Sequence, residues 1–307
     1  MKSESIKEGF NIDFMCVGIQ KCGTSTLYET LKQHSGIALS NIKEIHLAEW
    51  VDKSSDPIKD IQRKFFEDEW HNKKIGIIDP TFANDVELAY KFIGKKTKLI
   101  FIMRNPVDRL FSYYKMALRL GYNDVYPSTL YGKEITRVRW SFGRYVREEL
   151  RKENKCNAIL RGNYLDTILR FEKYYNRNMM KFIFLEDYIT DPEKVVREVE
   201  EFLELPHEKL DYSIWKNKGD LVPKNKLAFK VNQSTISLRE YVRSNPRFSA
   251  KQWYRVQRMS AIIRKKTSVI NHEKMSNNTR RQLEKYYESS IQRLGEYLDI
   301  DLSQIWF

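Results

Sequence analysis

Short apolar runs alternate along the first two thirds of the chain with segments that carry apolar residues at helical spacing. The runs, which predict buried strands, lie at residues 12–19, 36–39, 75–78, 99–103 and 181–185. Helical patterns lie near residues 24–34, 58–70, 84–93, 106–120, 163–175 and 193–203. This alternation predicts an α/β fold in which helices flank a central parallel sheet. Ligands of such sheets bind at the carboxyl ends of the strands.

The C-terminal third has a weaker pattern. Residues 278–298 carry apolar side chains at helical spacing, which predicts a packed terminal helix. Residues 211–274 show no comparable pattern and are predicted to be irregular, and residues 122–138 are predicted to form a loop. We expect residues 1–307 to fold as a single domain, with a flexible segment at residues 1–9.

Composition disfavours several classes of protein. Apolar residues make up 41% of the chain, and no apolar run approaches the ~20 residues of a transmembrane helix. The polar N-terminus has no secretory pattern, so we expect a cytoplasmic protein without a membrane partner. Cys16, Cys22 and Cys156 lack zinc-ligand spacing, and we expect no metal or redox role for them.

The net charge of +13 fits a nucleic-acid-binding protein, and it equally fits a cofactor that carries several negative charges. The basic residues are spread along the chain, and no helix-turn-helix, zinc or aromatic RNA-binding signature accompanies them. We therefore expect no nucleic-acid partner, and a basic nucleic-acid-binding protein is the alternative from another functional class.

A glycine-containing loop over residues 18–26 is the most specific pattern. Gly18 and Gly23 have the spacing of the P-loop of nucleoside-triphosphate-binding proteins, and they lie between an apolar run and a helical pattern. That P-loop has lysine directly after its second glycine, whereas here Thr24 occupies the position and the lysine comes earlier, at Lys21. The loop can bind phosphate through backbone N–H groups and the helix start. The misplaced lysine disfavours a nucleotide or sugar kinase, which is the alternative among enzymes.

A second pattern follows the apolar run at residues 99–103. Arg104 ends this run, Asn105 is a good helix N-cap, and a proline follows at the first helical position. Ser112 lies about two turns into the predicted helix. An arginine and a hydroxyl presented in this way fit a second phosphate group. Arg109 is a weaker candidate, because it can pair with a neighbouring acid such as Asp108.

Together these two patterns resemble the sulfotransferases that use 3′-phosphoadenosine 5′-phosphosulfate (PAPS). The family's Lys-x-Gly-Thr-[Ser/Thr] loop matches residues 21–25, and its Arg-x-Pro-x-x-Arg-x-x-Ser element matches residues 104–112. The resemblance implies a P-loop-like loop after the first strand that binds the 5′-phosphosulfate through Lys21, Cys22, Gly23, Thr24, Ser25 and Thr26. It implies that Arg104 and Ser112 bind the 3′-phosphate, and that residues 211–274 cover the cofactor or acceptor.

Sulfuryl transfer develops negative charge on the bridging oxygen of the leaving 5′-phosphate. A cation aimed at that oxygen stabilises the transition state more than the ground state, so Lys21 is also a candidate catalytic residue. The transfer needs no metal. The product is adenosine 3′,5′-bisphosphate (PAP).

The acceptor must lose a proton as it attacks, and two residues are candidate bases. Residues 43–46 resemble the Lys-Glu-x-His element of the heparan-sulfate-type branch, whose glutamate is the base, which implies Glu44, with His46 as the rival. The lysine that helps to place the glycan in that branch is absent, because Ile78 aligns with it. We expect a PAPS-dependent sulfotransferase acting on a hydroxyl, or alternatively an amine, of a small-molecule natural product. A sugar or glycan acceptor is the alternative.

Overall fold

The computed structural model describes residues 9–46, 56–66, 70–120, 140–151, 158–214, 221–245 and 247–306, without the side chains of residues 84, 88, 89 and 226. The loop predicted at residues 122–138 lies outside the described residues, as does all but the last residue of the flexible segment predicted at residues 1–9.

Five parallel strands form the central sheet, as the apolar runs predict. They are β1 (Phe14–Gly18), β2 (Ile37–Leu39), β3 (Lys74–Ile78), β4 (Lys98–Met103) and β5 (Met180–Phe184). Their order is β2-β3-β1-β4-β5. Every residue of β1 is buried, which explains its continuous apolar sequence.

The strand order places the carboxyl ends of β1 and β4 side by side. Cys16 of β1 pairs with Ile78 of β3 on one side and with Ile100 of β4 on the other. The chain builds the sheet on one side of β1 and then crosses to the other, so the order reverses next to β1. Ligands of open α/β sheets bind at such a reversal.

Helices flank the sheet, and capping residues define where several of them begin. The helices up to residue 202 are α1 (Thr24–Leu31), α2 (Pro57–Phe65), α3 (Val86–Ile93), α4 (Pro106–Leu120), α5 (Phe142–Leu150), α6 (Tyr164–Glu172), α7 (Leu185–Thr190) and α8 (Pro192–Phe202). The side chains of Asp56 and Asp191 accept hydrogen bonds from backbone N–H groups in the first turns of α2 and α8. Proline opens both helices, a combination that favours a sharp start.

The prediction of an irregular segment at residues 211–274 was wrong for most of its length. After the short strand β6 (Leu221–Pro223), the segment forms α9 (Lys226–Ser244) and α10 (Ala250–Thr267), followed by β7 (Ser268–Ile270), which pairs antiparallel with β6. Asn225 caps α9, and Ser249 forms a capping box with Gln252 at α10. The helical pattern was missed because α10 buries only Trp253 and Ser260, so its apolar stripe is almost absent.

The helices α9 and α10, here called the covering hairpin, are anchored at three places. Gln233 Nε2 donates to the carbonyl of Leu120 at the end of α4, and Tyr254 Oη donates to the carbonyl of Asn41 after β2. Lys64 Nζ of α2 donates to the carbonyls of Val242 and Arg243, at 3.0 and 2.8 Å. The covering hairpin therefore spans from the β2 loop to the end of α4.

The chain closes with α11 (Asn277–Leu298) and α12 (Ser303–Trp306). The predicted terminal helix is confirmed, and Leu283 and Tyr287 on its apolar stripe are fully buried.

Candidate active site

The glycine loop leaves β1 at Gly18 and enters α1 at Thr24. Lys21 and Gly23 both have left-handed backbone, with φ of 76° and 96°. Glycine is required at position 23, because a Cβ there would lie 2.5 Å from Leu185 Cδ1. Gly23 is the N-cap of α1 and provides no side chain to cap the first turn. The N–H groups of that turn therefore have no acceptor from an N-cap side chain.

Side chains in the loop differ in their access to a ligand. Lys21 and Ser25 are half-buried, whereas Thr24 and Thr26 are buried. Cys22 is fully buried, and burial raises the pKa of its thiol to about 12. Cys22 therefore remains a protonated packing residue, and only its backbone is suited to contact a phosphate.

Arg104 directly follows β4 and is half-buried at the carboxyl end of the sheet. Asn105 caps α4 as predicted, since its Oδ1 accepts hydrogen bonds from the N–H groups of Val107 and Asp108 at 2.9 and 3.4 Å. Ser112 lies in the second turn of α4 and is half-buried.

The C-terminus of the described chain supports the turn that carries Arg104. The carbonyl of Trp306 accepts a hydrogen bond from Asn105 Nδ2 at 2.6 Å. Glu186 accepts from the N–H of Asn105 at 2.9 Å and from Trp306 Nε1 at 3.2 Å. Neither Glu186 nor Trp306 was identified from the sequence, because each is far along the chain from Asn105.

A buried tyrosine joins the two phosphate patterns. Tyr164 Oη donates a 2.6 Å hydrogen bond to the carbonyl of Arg104 and lies 3.9 Å from Cys22 Sγ. The N–H of Ile19 also donates to the carbonyl of Ile102, at 2.8 Å. These buried contacts therefore set the spacing between the glycine loop and Arg104.

Arg109 belongs to the core and is fully buried. Its Nη2 donates to the carbonyl of Ala158, while the Asp108 carboxylate pairs with Arg280 of α11. Arg109 is thus directed to the segment before α6 and does not pair with Asp108.

Charges of both signs surround Lys21. Burial is the main reason that the pKa of Lys21 falls from 10.5 to about 8, and the charge of Arg119 is the next reason. The negative charge of Glu44 raises the pKa of Lys21, whereas the positive charges of Lys43 and Arg104 lower it further. The charges of Arg104, Glu44 and Arg119 therefore all act on Lys21, and no sequence pattern indicates Arg119.

Glu44 and His46 lie on a turn after β2, where both have left-handed backbone with φ of 62° and 52°. The N–H of Glu44 donates to the carbonyl of Ile78 at 3.1 Å, which places the turn at the carboxyl end of β3. The Glu44 carboxylate pairs with Lys43 and lies 4.0 Å from His46 Nε2. Burial acts to raise the pKa of Glu44, but the Lys43 charge and the hydrogen bond with His46 hold it well below its usual range.

Asp79 positions this turn. Its side chain is completely buried, and its Oδ2 accepts a 2.6 Å hydrogen bond from the N–H of His46. Its Oδ1 accepts from the N–H of Thr81 at 3.2 Å. We infer that Asp79 stabilises the left-handed turn rather than contacting a ligand.

Within the ranges described above, no group of three or more His, Cys, Asp or Glu side chains could hold a metal ion. Of the helices in those ranges, none combines the length and the apolar character needed to cross a membrane.

Comparison with known proteins identifies the family to which the fold belongs. Residues 11–297 match the family model described as a sulfotransferase domain. A sulfotransferase from Alicyclobacillus acidocaldarius is similar in structure, with a TM-score of 0.53 and 20% identity, over 80% of this chain and 100% of that one. A mouse sulfotransferase complexed with PAP gives a TM-score of 0.48 and 16% identity, over 95% of this chain and 90% of that one. Among curated protein sequences, none matches the chain significantly.

Proposed function

Because the chain belongs to the sulfotransferase domain family, we propose that it transfers the sulfuryl group of PAPS to a hydroxyl group of its acceptor. An amine is the alternative acceptor group. Lys21 and Arg104 carry the proposal, since they follow neighbouring strands and each lies within electrostatic reach of the other. One ligand with phosphate groups at both ends would satisfy both cations.

In this proposal the donor lies across the carboxyl ends of β1 and β4. The N–H groups of the loop and of the first turn of α1 bind the 5′-phosphosulfate, while Arg104 and Ser112 bind the 3′-phosphate. Tyr164 fixes the distance between the two halves of the site. A nucleotide without a 3′-phosphate would leave Arg104 without its counter-charge.

The chemical step forms a bond between the acceptor oxygen and sulfur and breaks the bond from sulfur to the 5′-phosphate oxygen. The acceptor proton passes to a base, and PAP leaves with the bonding electrons. Lys21, with a pKa of about 8, is mostly protonated at pH 7 and neutralises the charge that develops on the leaving oxygen.

Glu44 is the proposed base, and His46 is the rival. Glu44 is ionised at neutral pH and can accept a proton, although the charge of Lys43 makes its carboxylate a weaker base than an ordinary glutamate. His46 is half-buried on the same turn and can assume the role. Both residues lie on the turn at the carboxyl end of β3, the strand next to β1.

For the acceptor we favour a small molecule over a glycan. The position that resembles the glycan-placing lysine carries Ile78, which is fully buried and cannot contact an acceptor. A sugar acceptor is the alternative.

A calorimetric titration with PAP, ADP and Mg-ATP tests the proposal. We expect wild-type protein to bind PAP at least ~10-fold more tightly than ADP, and Arg104→Ala to remove that difference, because the arginine contacts only the 3′-phosphate. Arg281→Ala, at an exposed position on α11, is the matched control. Preference for Mg-ATP would indicate a kinase-like enzyme, and displacement of PAP by excess DNA would indicate a nucleic-acid-binding protein.

A further inference from the structure

The covering hairpin carries most of the net positive charge of the protein. Residues 226–267, which span it, contain 11 of the chain's 54 lysine and arginine residues but only one of its 41 acidic residues. Basic residues occur along the whole chain, and the near absence of acids sets this segment apart. Its one acid, Glu240, pairs with Arg239 and Arg243 of α9. The helix α10 has six basic residues and no acid, so its charge is not neutralised within the hairpin.

Cations and aliphatic side chains share the outward side of α10. This side presents four exposed residues, Arg255, Arg258, Met259 and Ile262. The residues that α10 buries lie on its opposite side. Neither guanidinium has an ion-pair partner among the residues that the structure describes. The outward side of α10 is therefore a row of uncompensated cations with aliphatic side chains between them.

The neighbouring elements add further apolar surface. On α9, Leu227, Leu238 and Tyr241 lie on one side of the helix, and 70%, 46% and 57% of their surfaces are exposed. Val269 and Ile270 of β7 are exposed as well. In the described part of the chain, eight of the 13 large apolar side chains that are exposed lie between residues 227 and 270. Single exposed apolar residues are ordinary, whereas such a concentration indicates an interaction surface.

Charge and apolar character together indicate the kind of partner. A second copy of the chain would bring the same uncompensated cations face to face in a twofold dimer, which is repulsive. A nucleic acid would pair with the cations but would leave the aliphatic side chains against phosphate and sugar. The surface of an anionic bilayer suits both, because lipid headgroups attract the cations while the aliphatic side chains enter the interface.

We propose that the covering hairpin binds the surface of membranes that contain anionic phospholipids, with the outward sides of α9 and α10 against the headgroups. A helix that lies on a bilayer needs neither the length nor the uniform apolar character of a spanning helix. Such binding departs from the expectation of no membrane partner, which considered only spanning and secretory segments. It does not depend on the proposed function, since none of the residues that carry it belongs to the donor site.

Vesicle flotation with the full chain tests the charged part of this surface. The probes are vesicles of phosphatidylcholine alone and vesicles that also contain about 30% phosphatidylserine. We expect at least ~10-fold stronger binding to the anionic vesicles, and weaker binding as salt is raised. The double variant Arg255→Gln, Arg258→Gln should lose at least ~10-fold in affinity for the anionic vesicles. The double variant Arg255→Lys, Arg258→Lys keeps both charges and should bind like wild type.

The aliphatic part is tested separately. The double variant Met259→Gln, Ile262→Gln keeps every charge and should lose about tenfold in affinity for the anionic vesicles, because two side chains no longer enter the interface. Ile189→Gln, on α7, is its matched control, since Ile189 is 57% exposed outside the hairpin. The double variant Arg281→Gln, Lys285→Gln, at exposed positions on α11, is the control for the charged pair. Both controls should bind like wild type.

Several results would overturn the membrane assignment. These are equal binding to neutral and anionic vesicles, no binding to either, or unchanged binding by both hairpin variants at an unchanged Tm. Binding of duplex DNA but not of vesicles, lost in the arginine variant and kept in the Met259 and Ile262 variant, would assign the surface to a nucleic acid. A dimer without vesicle binding, which the Met259 and Ile262 variant dissociates, would assign it to a second copy. Wild-type protein that binds anionic vesicles but not PAP would support the membrane surface and refute the proposed function alone.

Discussion

Lys21 should couple the binding of PAP to the uptake of a proton above pH 8. Its pKa falls from 10.5 to about 8 in the unliganded protein, which corresponds to about 3 kcal/mol of unfavourable free energy for keeping the ammonium at this place. A 5′-phosphate beside the ammonium would stabilise its charged form and raise the pKa again. The free protein must then bind a proton whenever PAP binds at a pH between the two pKa values.

The size of the effect follows from the pKa of the free protein. At pH 9 a group with a pKa of about 8 is roughly one tenth protonated, so binding should take up about 0.9 proton per PAP. At pH 7 the uptake should be about 0.1 proton. The affinity for PAP should fall about tenfold for each pH unit above 8, until the pKa of the complex is reached.

Calorimetric titrations at pH 9, in buffers with different ionisation enthalpies, measure this uptake directly. The phosphate groups of PAP do not interfere, since their second ionisation lies near pH 6. Lys21→Arg is the matched control, because it keeps a cation that does not titrate in this range and should bind PAP at pH 9 without proton uptake. Equal uptake by wild type and Lys21→Arg, or none by wild type, would refute the placement of Lys21 against the phosphate.

Three further variants test other parts of the site. The Glu44→Gln variant should bind PAP within about twofold of wild type, but its kcat should fall by a factor of roughly 10²–10⁴, because the amide cannot accept the proton. Normal turnover in this variant, together with an inactive His46→Ala variant, would assign the base to His46. Lys43→Met should shift the acid limb of the kcat/KM profile to higher pH, because loss of the lysine charge raises the pKa of Glu44, and an unchanged limb would contradict Glu44 as the base. Tyr164→Phe should lower stability by about 1–3 kcal/mol, seen as a lower Tm, and weaken PAP binding, because it leaves a buried carbonyl without its donor. Tyr286→Phe, at a more exposed position, should change neither property.

The strands could be predicted from sequence because each is a local, mostly apolar run, and the central strand β1 is buried throughout. The two phosphate patterns were equally local, since a loop or cap occupies a few consecutive residues, as at Gly23 and Asn105. The covering hairpin was not predicted, because its position depends on contacts that are not local. Its helices are amphipathic only weakly, and their positions depend on anchors such as Lys64 that lie far away in the chain.

Long-range partners explain what was missed within the site. Tyr164 and the Arg104 carbonyl that it contacts are separated by 60 positions in the sequence. Asn105 and Trp306 are separated by 201 positions. No spacing rule connects such pairs, and only the strand order brings them together. Arg109 shows the opposite error, in which a residue within a recognised pattern turns into the core.

The helix α4 joins two arginines whose charges act on Lys21, with Arg104 directly before its first turn and Arg119 in its last turn. Its first turn is held by the Asn105 cap and Trp306, which position Arg104, while its last turn is held by the bond between Gln233 and the Leu120 carbonyl, next to Arg119. The distance between the two arginine backbones is therefore set by helix geometry and not by flexible loops.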